Sequence, residues 1–482
     1  MSRGTGSARR PGGPAAAISR RRFGTLALGA TAAAAVPWPL RAGPRGGRRH
    51  ALPRTPPGVS HQNLLVDGDR LNRRLDELAR FSSAAEGTTR LAYSDEDLAA
   101  REWLSDIMAG LGLDVYVDRA ANLIGRRRGT DPSLAPILLG SHIDSVPAGG
   151  SYDGQVGSIG ALEAVATLVD AGRETRHPLE LVIWANEEGG KTGSRAVAGE
   201  TLPWEVDIVT ASGFMIGEGT KRLGGDLTDL AAALREPGSL TAYLELHIEQ
   251  GFVLDRGGLD IGVVEGIVGI RRWTATIDGF ANHAGTTPMD MRQDAMVTAA
   301  RIIDAVHVTA RELPGRHVAT VGRLTAEPGA PNVIPGRVTF SLEIRDLSMD
   351  GIDTVFQAIR TRAEEIAAAD GTTVSLEQFY ESRAAPTDPR LRDRIETEAR
   401  ELGYTALRMP SGAGHDAQSV ALLGPVGMIF VPSRDGISHS PLEYTSPDQI
   451  TAGANVLLRT LLAIDEQDTP GGPQRAGRAR RG

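Results

Sequence analysis

Pro136-Ile137-Leu138-Leu139-Gly140-Ser141-His142-Ile143-Asp144-Ser145-Val146 changes character halfway along. The first half is a short apolar run bounded by turn-forming residues, the pattern of a strand buried on both faces. The second half is polar, and a polar cluster directly after a buried strand has no packing reason to stand there. In α/β proteins such positions open on the cleft at the carboxyl ends of the strands, where sites are built. Residues 158–169 then read as a helix, and Leu179-Glu180-Leu181-Val182-Ile183-Trp184-Ala185 as the next strand. Strand, helix, strand in this order predicts a βαβ unit in a mixed or parallel sheet.

Upstream, residues 69–80 and 95–111 have the spacing of amphipathic helices. Ser94 or Asp95 is placed to cap the second, and Gly112 follows its end. Downstream, residues 262–379 read as a separate module: strand-like 262–278, helical 290–312, strands near 317–325 and 337–345, helical 351–368 and strand-like 373–379. The β-α-β-β-α-β order is that of ferredoxin-like domains. Helical 389–402, strand-like Val426–Val431 and helical 447–465 resume the first pattern. The expected fold is α/β in two domains: a mixed-sheet domain in two pieces, 62–260 and 381–468, interrupted by an inserted ferredoxin-like module at 261–380. A chain of 482 residues exceeds the size at which one core stops growing, which agrees.

The net charge of −8 gives no basic character to suggest nucleic acid as a partner. With no cysteine, disulfides, thiolate metal sites and cysteine nucleophiles are excluded, so a metal must be held by His, Asp and Glu. Residues 1–50 carry ten arginines and no acid, and only two lysines, Lys191 and Lys221, occur in the whole chain. Ser19-Arg20-Arg21-Arg22-Phe23 precedes a weakly apolar run from Gly24 to Val36. This resembles a twin-arginine export signal within a leader of about 45 residues. The expected location is periplasmic or extracellular, or the cytoplasm if the leader is no signal. The run is too short for a stable membrane anchor. The Gly- and Arg-rich tail, 469–482, reads as disordered.

The residues able to do chemistry recur at element ends. His142 follows the first strand and offers a neutral imidazole, with Asp144 two residues on as a partner for its other ring nitrogen. Tyr152-Asp153-Gly154 lies in a Gly-rich loop entering a helix, and its carboxylate has two oxygens with which to bridge two cations. Asn186-Glu187-Glu188-Gly189 follows the second strand, and neighbouring acids there point to different sides. Glu245-Leu246-His247-Ile248-Glu249-Gln250 and Ile437-Ser438-His439-Ser440-Pro441 add two imidazoles. Taken singly, a histidine beside an acid is more often a hydrogen-bonded structural residue, and paired glutamates are usually a solvated patch. Their combination changes the reading, since several stand directly after expected buried strands.

These motifs, with G-S-R-A-V-A-G, N-H-A-G-T-T-P-M, N-V-I-P-G and S-G-A-G-H-D-A, occur together and in order. From about Arg70 to Leu462 the chain resembles the zinc amidohydrolases that include N-carbamoyl-L-amino-acid hydrolase, β-ureidopropionase and allantoate amidohydrolase, within the aminoacylase/carboxypeptidase-type metallopeptidase superfamily. The resemblance implies two divalent cations, zinc by preference, with Mn, Co or Ni also compatible with the donors. It implies His142, Asp153 and His247 on one cation, Asp153, Glu188 and His439 on the other, and Glu187 as general base. It further implies a homodimer in which His283 donates to the reacting oxygen in the neighbouring subunit's site. Arg345 would grip a substrate carboxylate, with Asn332, Gln250 and the Gly412–Gly414 turn, Gly414 included, as polar contacts. For His415 a structural role is the expectation.

Some positions depart from that family. Ile143-Asp144-Ser145 stands for the usual Leu-Asp-Thr, and Ser151-Tyr152 for Arg-Phe, both without loss of a ligand type. Gly189-Gly190-Lys191-Thr192 replaces a stretch where many relatives have an Arg-Phe pair, which leaves side-chain preference open. The expected substrate is a small carboxylate-bearing ureido compound, first an N-carbamoyl-L-amino acid. Allantoate, or a dipeptide or N-acyl amino acid, is the rival, and a metal-free binding relative is the non-enzymatic reading.

Overall fold

The computed structural model describes residues 64–467, so the leader and tail readings lie outside the described residues. In α1 (Gly68–Ala79), Leu71, Leu75 and Leu78 make one buried stripe, and the Asp67 side chain accepts the Arg70 N–H at the open end. Ser94 caps α2 (Asp95–Gly110) in the same way, by accepting from Asp97. β1 (Asp114–Val117) pairs antiparallel with β2 (Leu123–Arg127). β3 (Ile137–His142), α3 (Gln155–Asp170) and β4 (Leu179–Trp184) then form the expected βαβ unit, the two strands parallel from Ile137↔Leu179 to His142↔Trp184.

Short helices α4 (Thr192–Val197) and α5 (Ile216–Arg222) lead to β5 (Ala242–Ile248), which joins β3 in parallel. After α6 (Val253–Gly257), β6 (Ile261–Ile267) stays in this sheet, but β7 (Gly269–Asp278) leaves it. The ribbon strand β8 (Asn282–His283), α7 (Ala295–Glu312), β9 (Val318–Glu327), the second ribbon strand β10 (Val333–Ile334), β11 (Arg337–Asp346), α8 (Met349–Ala369) and β12 (Thr373–Ser382) follow. The chain returns through β13 (Ala385–Pro386), α9 (Pro389–Glu401), β14 (Ala406–Ser411), α10 (Asp416–Val420), β15 (Val426–Val431) and α11 (Pro447–Gln467).

Among the described residues the larger sheet is mixed, in the order β1-β2-β4-β3-β5-β15-β6-β13, with β14 also on β6. Every residue of β3, β4, β5 and β15 is buried. One face of the sheet is covered by α1, α2, α3, α9 and α11, the other by α4, α5 and α10. A strand covered on both faces needs continuous rather than alternating hydrophobicity, which is what these segments carry. The smaller sheet is antiparallel in the order β12-β7-β11-β9, with α7 and α8 packed on it.

One expected strand is corrected. Residues 262–278 are two strands in two sheets, broken at Val268, whose N–H donates to Ser411 O at 3.0 Å. The inserted module therefore does not begin at 261: Ile261–Ile267 pairs with β14 and β15 in the larger sheet. The crossing needs Gly269, where a Cβ would meet the Met349 sulfur at 2.5 Å and Ala384 N at 2.8 Å. The helix expected from 290 starts at Ala295, where Asp294 accepts from Met296 and Val297. No described helix is long and apolar enough to cross a membrane.

Candidate metal centre

The larger sheet brings the ends of β3, β4 and β5 together, with the loops after α6's neighbour β5 and after β15 closing over them. His142 is the last residue of β3, and the Glu187-Glu188 pair follows β4. His247 is the next-to-last residue of β5, and His439 comes from the loop after β15. Asp153 stands in the turn that opens α3. Its two oxygens face different partners. Oδ1 is 3.2 Å from His247 Nε2 and 3.9 Å from His142 Nε2, while Oδ2 is 3.1 Å from His439 Nε2. His439 Nε2 is also 3.5 Å from Glu188 Oε1, and His142 Nε2 is 3.8 Å from Glu187 Oε2. Among the described residues three His/Asp/Glu groups could hold a cation: His142/Asp153/His247 and Asp153/Glu188/His439, which share Asp153, and Glu245/His247/His415, which shares His247 with the first.

The imidazoles of the first group are set for ligation by their far nitrogens. His142 Nδ1 lies 3.0 Å from Asp144 O, and His247 Nδ1 lies 2.9 Å from Ile248 O. A carbonyl can only accept, so each Nδ1 carries a proton and each Nε2 is the nitrogen that faces the centre, open to a cation once any proton on it has left. This corrects the expected role of the Asp144 side chain. Its carboxylate is 3.7 Å from the His142 ring nitrogen, and instead accepts the backbone N–H groups of Glu187 and Glu188 at 3.2 and 3.1 Å. Asp144 thus ties the turn after β4 to the loop after β3.

Gly154 allows the close approach. It has φ of 71°, and a Cβ there would fall 2.3 Å from His142 Nε2. Two residues that sequence reasoning left without a role hold Asp153. Glu443 Oε1 accepts the N–H groups of Tyr152 and Asp153 at 3.0 and 3.1 Å, and Ser438 Oγ lies 3.0 Å from Asp153 Oδ2 and 2.9 Å from Glu443 Oε2. Ser438 sits in the Ile437–Pro441 stretch and Glu443 two residues beyond it, but only the fold shows which groups they reach.

The electrostatics ask for positive charge. Burial raises the Asp153 carboxyl, but hydrogen bonds from His247 and His439 outweigh it and hold the group well below the usual carboxylate range. Burial opposes the His247 imidazolium, yet the bond and charge of Asp153 lift it to about 9. Glu188 goes the other way: burial, then the charges of Asp153, Glu187 and Asp144, push it up to about 10. Glu187 is raised chiefly by burial. Carboxylates crowded in this way, with the Nε2 atoms of two oriented imidazoles aimed among them, fit divalent cations of zinc type, which would take the place of the protons. With no thiolate present, Mn, Co and Ni also fit the nitrogen and oxygen donors.

The remaining expected residues are placed unevenly. Gln250 is in the centre, its Nε2 donating to Asp153 Oδ2 at 2.7 Å. Arg345, on β11 of the smaller sheet, reaches across: Nη1 donates to Gly412 O at 2.6 Å and Nε to Glu343 Oε1 at 2.7 Å. Gly414 lies two residues beyond that contact. His415 is a buried neutral imidazole, held well below its usual range by burial and then by the His247 charge; it bonds Ser411 Oγ at 2.8 Å and packs edge-on to His247. His283 and Asn332 are exposed on the ribbon formed by β8, β10 and the adjoining turn, and neither belongs to a ligand group. His283 Nδ1 accepts the N–H groups of Gly285 and Thr286 at 3.0 and 3.2 Å, so its proton is on Nε2.

Residues 138–463 match the profile of peptidase family M20/M25/M40. The chain is 42% identical over 403 residues to the N-carbamoyl-L-amino acid amidohydrolase of Geobacillus stearothermophilus, covering 82% of this chain and 98% of that protein. It is 35% identical over 397 residues to the allantoate amidohydrolase of Bacillus subtilis, covering 81% and 96%. Among solved structures, a hydantoinase/carbamoylase family amidase from Burkholderia multivorans superimposes with a TM-score of 0.77 at 38% identity, covering 83% and 98%.

Proposed function

The chain belongs to peptidase family M20/M25/M40, and from that premise we propose that it is a two-cation amidohydrolase cleaving an N-carbamoyl-L-amino acid to the amino acid, ammonia and carbon dioxide. The observation that carries this reading is the division of the Asp153 oxygens, Oδ1 toward His142 and His247 and Oδ2 toward His439. A carboxylate used in that way can serve both ligand groups. Divalent cations held by His142, Asp153, His247, Glu188 and His439 would supply Lewis acidity to polarise the ureido carbonyl and lower the pKa of water.

The chain's own groups do the rest. Glu187 stands at the rim of the first ligand group without belonging to any, which is the position of a general base. It takes a proton from the attacking water and returns it to the departing nitrogen. The two N–H bonds to Asp144 fix the turn on which it rides, so the carboxylate meets the water in one orientation. The His283 Nε2–H, left free by the bonds at Nδ1, is the donor for charge growing on the carbonyl oxygen. Its exposure, and its place outside the ligand groups of its own chain, support a homodimer in which each copy completes the other's site. Arg345 presents a planar fork suited to the substrate carboxylate. Asn332, Gln250 and the Gly414 backbone add polar contacts. The Ser19–Val36 leader would export the enzyme already folded and metal-loaded.

The test is ammonia release from a panel of N-carbamoyl-L-amino acids, allantoate and dipeptides, with defined metals and after chelation. Ammonia from carbamoyl substrates, lost on chelation and restored by Zn, Mn, Co or Ni, is expected. Cleavage of dipeptides alone overturns the ureido reading, and turnover that survives chelation overturns the metal.

A further inference from the structure

The turn that carries Glu187 also carries Lys191, one of the two lysines in the chain. The N–H groups of Gly190 and Lys191 both donate to Glu187 O, at 2.9 and 2.8 Å, and Lys191 takes the left-handed conformation with φ of 57°. This folds the lysine toward the 412–414 turn: its Nζ would lie 3.5 Å from a Cβ at Gly414. The ammonium donates to Gln418 Oε1. Gln418 is itself held, its Nε2 donating to Ser382 Oγ and to Arg383 O. Lys191 has three donors and, among the described residues, makes no ion pair within 4 Å. Glu187, Asp416 and Glu200 act on it only from farther away.

A partly buried ammonium with donors to spare is costly unless an anion meets it. Arg345 holds the other end of the same turn through Gly412 O. Two cations thus flank a three-residue turn whose ends are at most ~7 Å apart, a span within reach of an amino acid with two carboxylates. We propose that Lys191 binds a second anionic group of the substrate, so that the preferred substrates are N-carbamoyl derivatives of acidic amino acids. This rests on the carbamoylase reading above. Arg345 takes the carboxylate beside the ureido nitrogen, and Lys191 takes the one at the end of the side chain.

The experiment uses the metal-loaded full chain, with Lys191→Met to remove the charge at similar length and Lys191→Arg to keep it. The first readout is the ratio of kcat/KM for N-carbamoyl-L-glutamate over N-carbamoyl-L-methionine. It should be ~10 or more in the wild type, as one charge-assisted contact allows, fall toward one in Lys191→Met and persist in Lys191→Arg. A wild-type ratio at or below one, or an equal fall for both substrates in Lys191→Met, overturns the proposal; the latter makes the lysine a support for Glu187. The second readout is calorimetric binding of glutarate against butyrate. Glutarate bound ~10-fold more tightly, with the difference lost in Lys191→Met, supports the second-anion site even if no carbamoyl substrate is turned over, in which case only the carbamoylase reading fails. Equal binding of the two acids overturns the Lys191 proposal.

Discussion

Gly154→Ala is the sharpest test of the metal centre, because it adds one methyl group and removes no ligand. Two costs follow from the geometry. A left-handed φ of 71° costs an alanine about 1 kcal/mol relative to glycine, a loss of stability that alone would leave the site intact. The larger effect is steric: the new Cβ would stand 2.3 Å from His142 Nε2, the atom that faces the cation. Reaching van der Waals distance requires that ring to retreat by about 1 Å, several times the ~0.2 Å tolerance of a ligand bond. The ring cannot swing aside cheaply, since Nδ1 is pinned by Asp144 O at 3.0 Å and the whole residue is buried. Metal affinity at the first position should fall by at least ~100-fold, and turnover with it by a similar factor. Metal content by mass spectrometry after dialysis against a graded chelator, kcat at saturating metal and the far-UV circular dichroism spectrum read these separately. A folded variant that keeps two tightly bound cations and turns over within about threefold of wild type would refute the proposed role of His142.

Glu187→Gln should lower kcat by about 10³-fold while metal content stays at the wild-type level, measured by steady-state kinetics beside elemental analysis; unchanged turnover removes the proposed base. Mixing inactive His283→Ala with inactive Glu187→Gln, then letting subunits exchange, should restore about a quarter of wild-type activity, because half the dimers are mixed and each mixed dimer holds one intact site. Failure to recover any activity in demonstrably mixed dimers rules out a shared site. For the metal-free protein, Glu188 is raised from 4.5 to about 10 and His247 from 6.5 to about 9. Both groups hold protons in the folded state that the unfolded chain releases, so their stabilisation is full below the lower value and lost as pH rises through the higher one. Calorimetric Tm without metal should therefore fall between pH 6.5 and 9, and saturating zinc, which keeps both groups deprotonated, should flatten the slope; a rising metal-free Tm over that window contradicts the sign. Replacing Arg20 and Arg21 by Lys should hold the enzyme in the cytoplasm, as read by cell fractionation, and continued export would remove the leader reading.

Much of the larger sheet was legible because its signals are local. Ile137–His142, Leu179–Trp184 and Val426–Val431 are apolar runs of strand length between turn residues, and the cap at Ser94 lies within three residues of the N–H group it satisfies. His142 and the Glu187-Glu188 pair could be picked out for the same reason, since each stands at or just after the end of such a run. The break at Val268 was not legible, because both halves of 262–278 have strand character and only their partners differ, β14 and β15 for one, β11 and β12 for the other. Tertiary structure alone decided that Asp153 turns one oxygen to each of its ligand groups, that the Asp144 carboxylate serves the Glu187-Glu188 turn rather than the His142 ring, and that Glu443, 290 positions from Asp153, grips its backbone. The physical reason is range. Propensity and periodicity act over a few residues, whereas the convergence of His142, His247 and His439 depends on strand order and register across a sheet whose neighbours are distant in the chain.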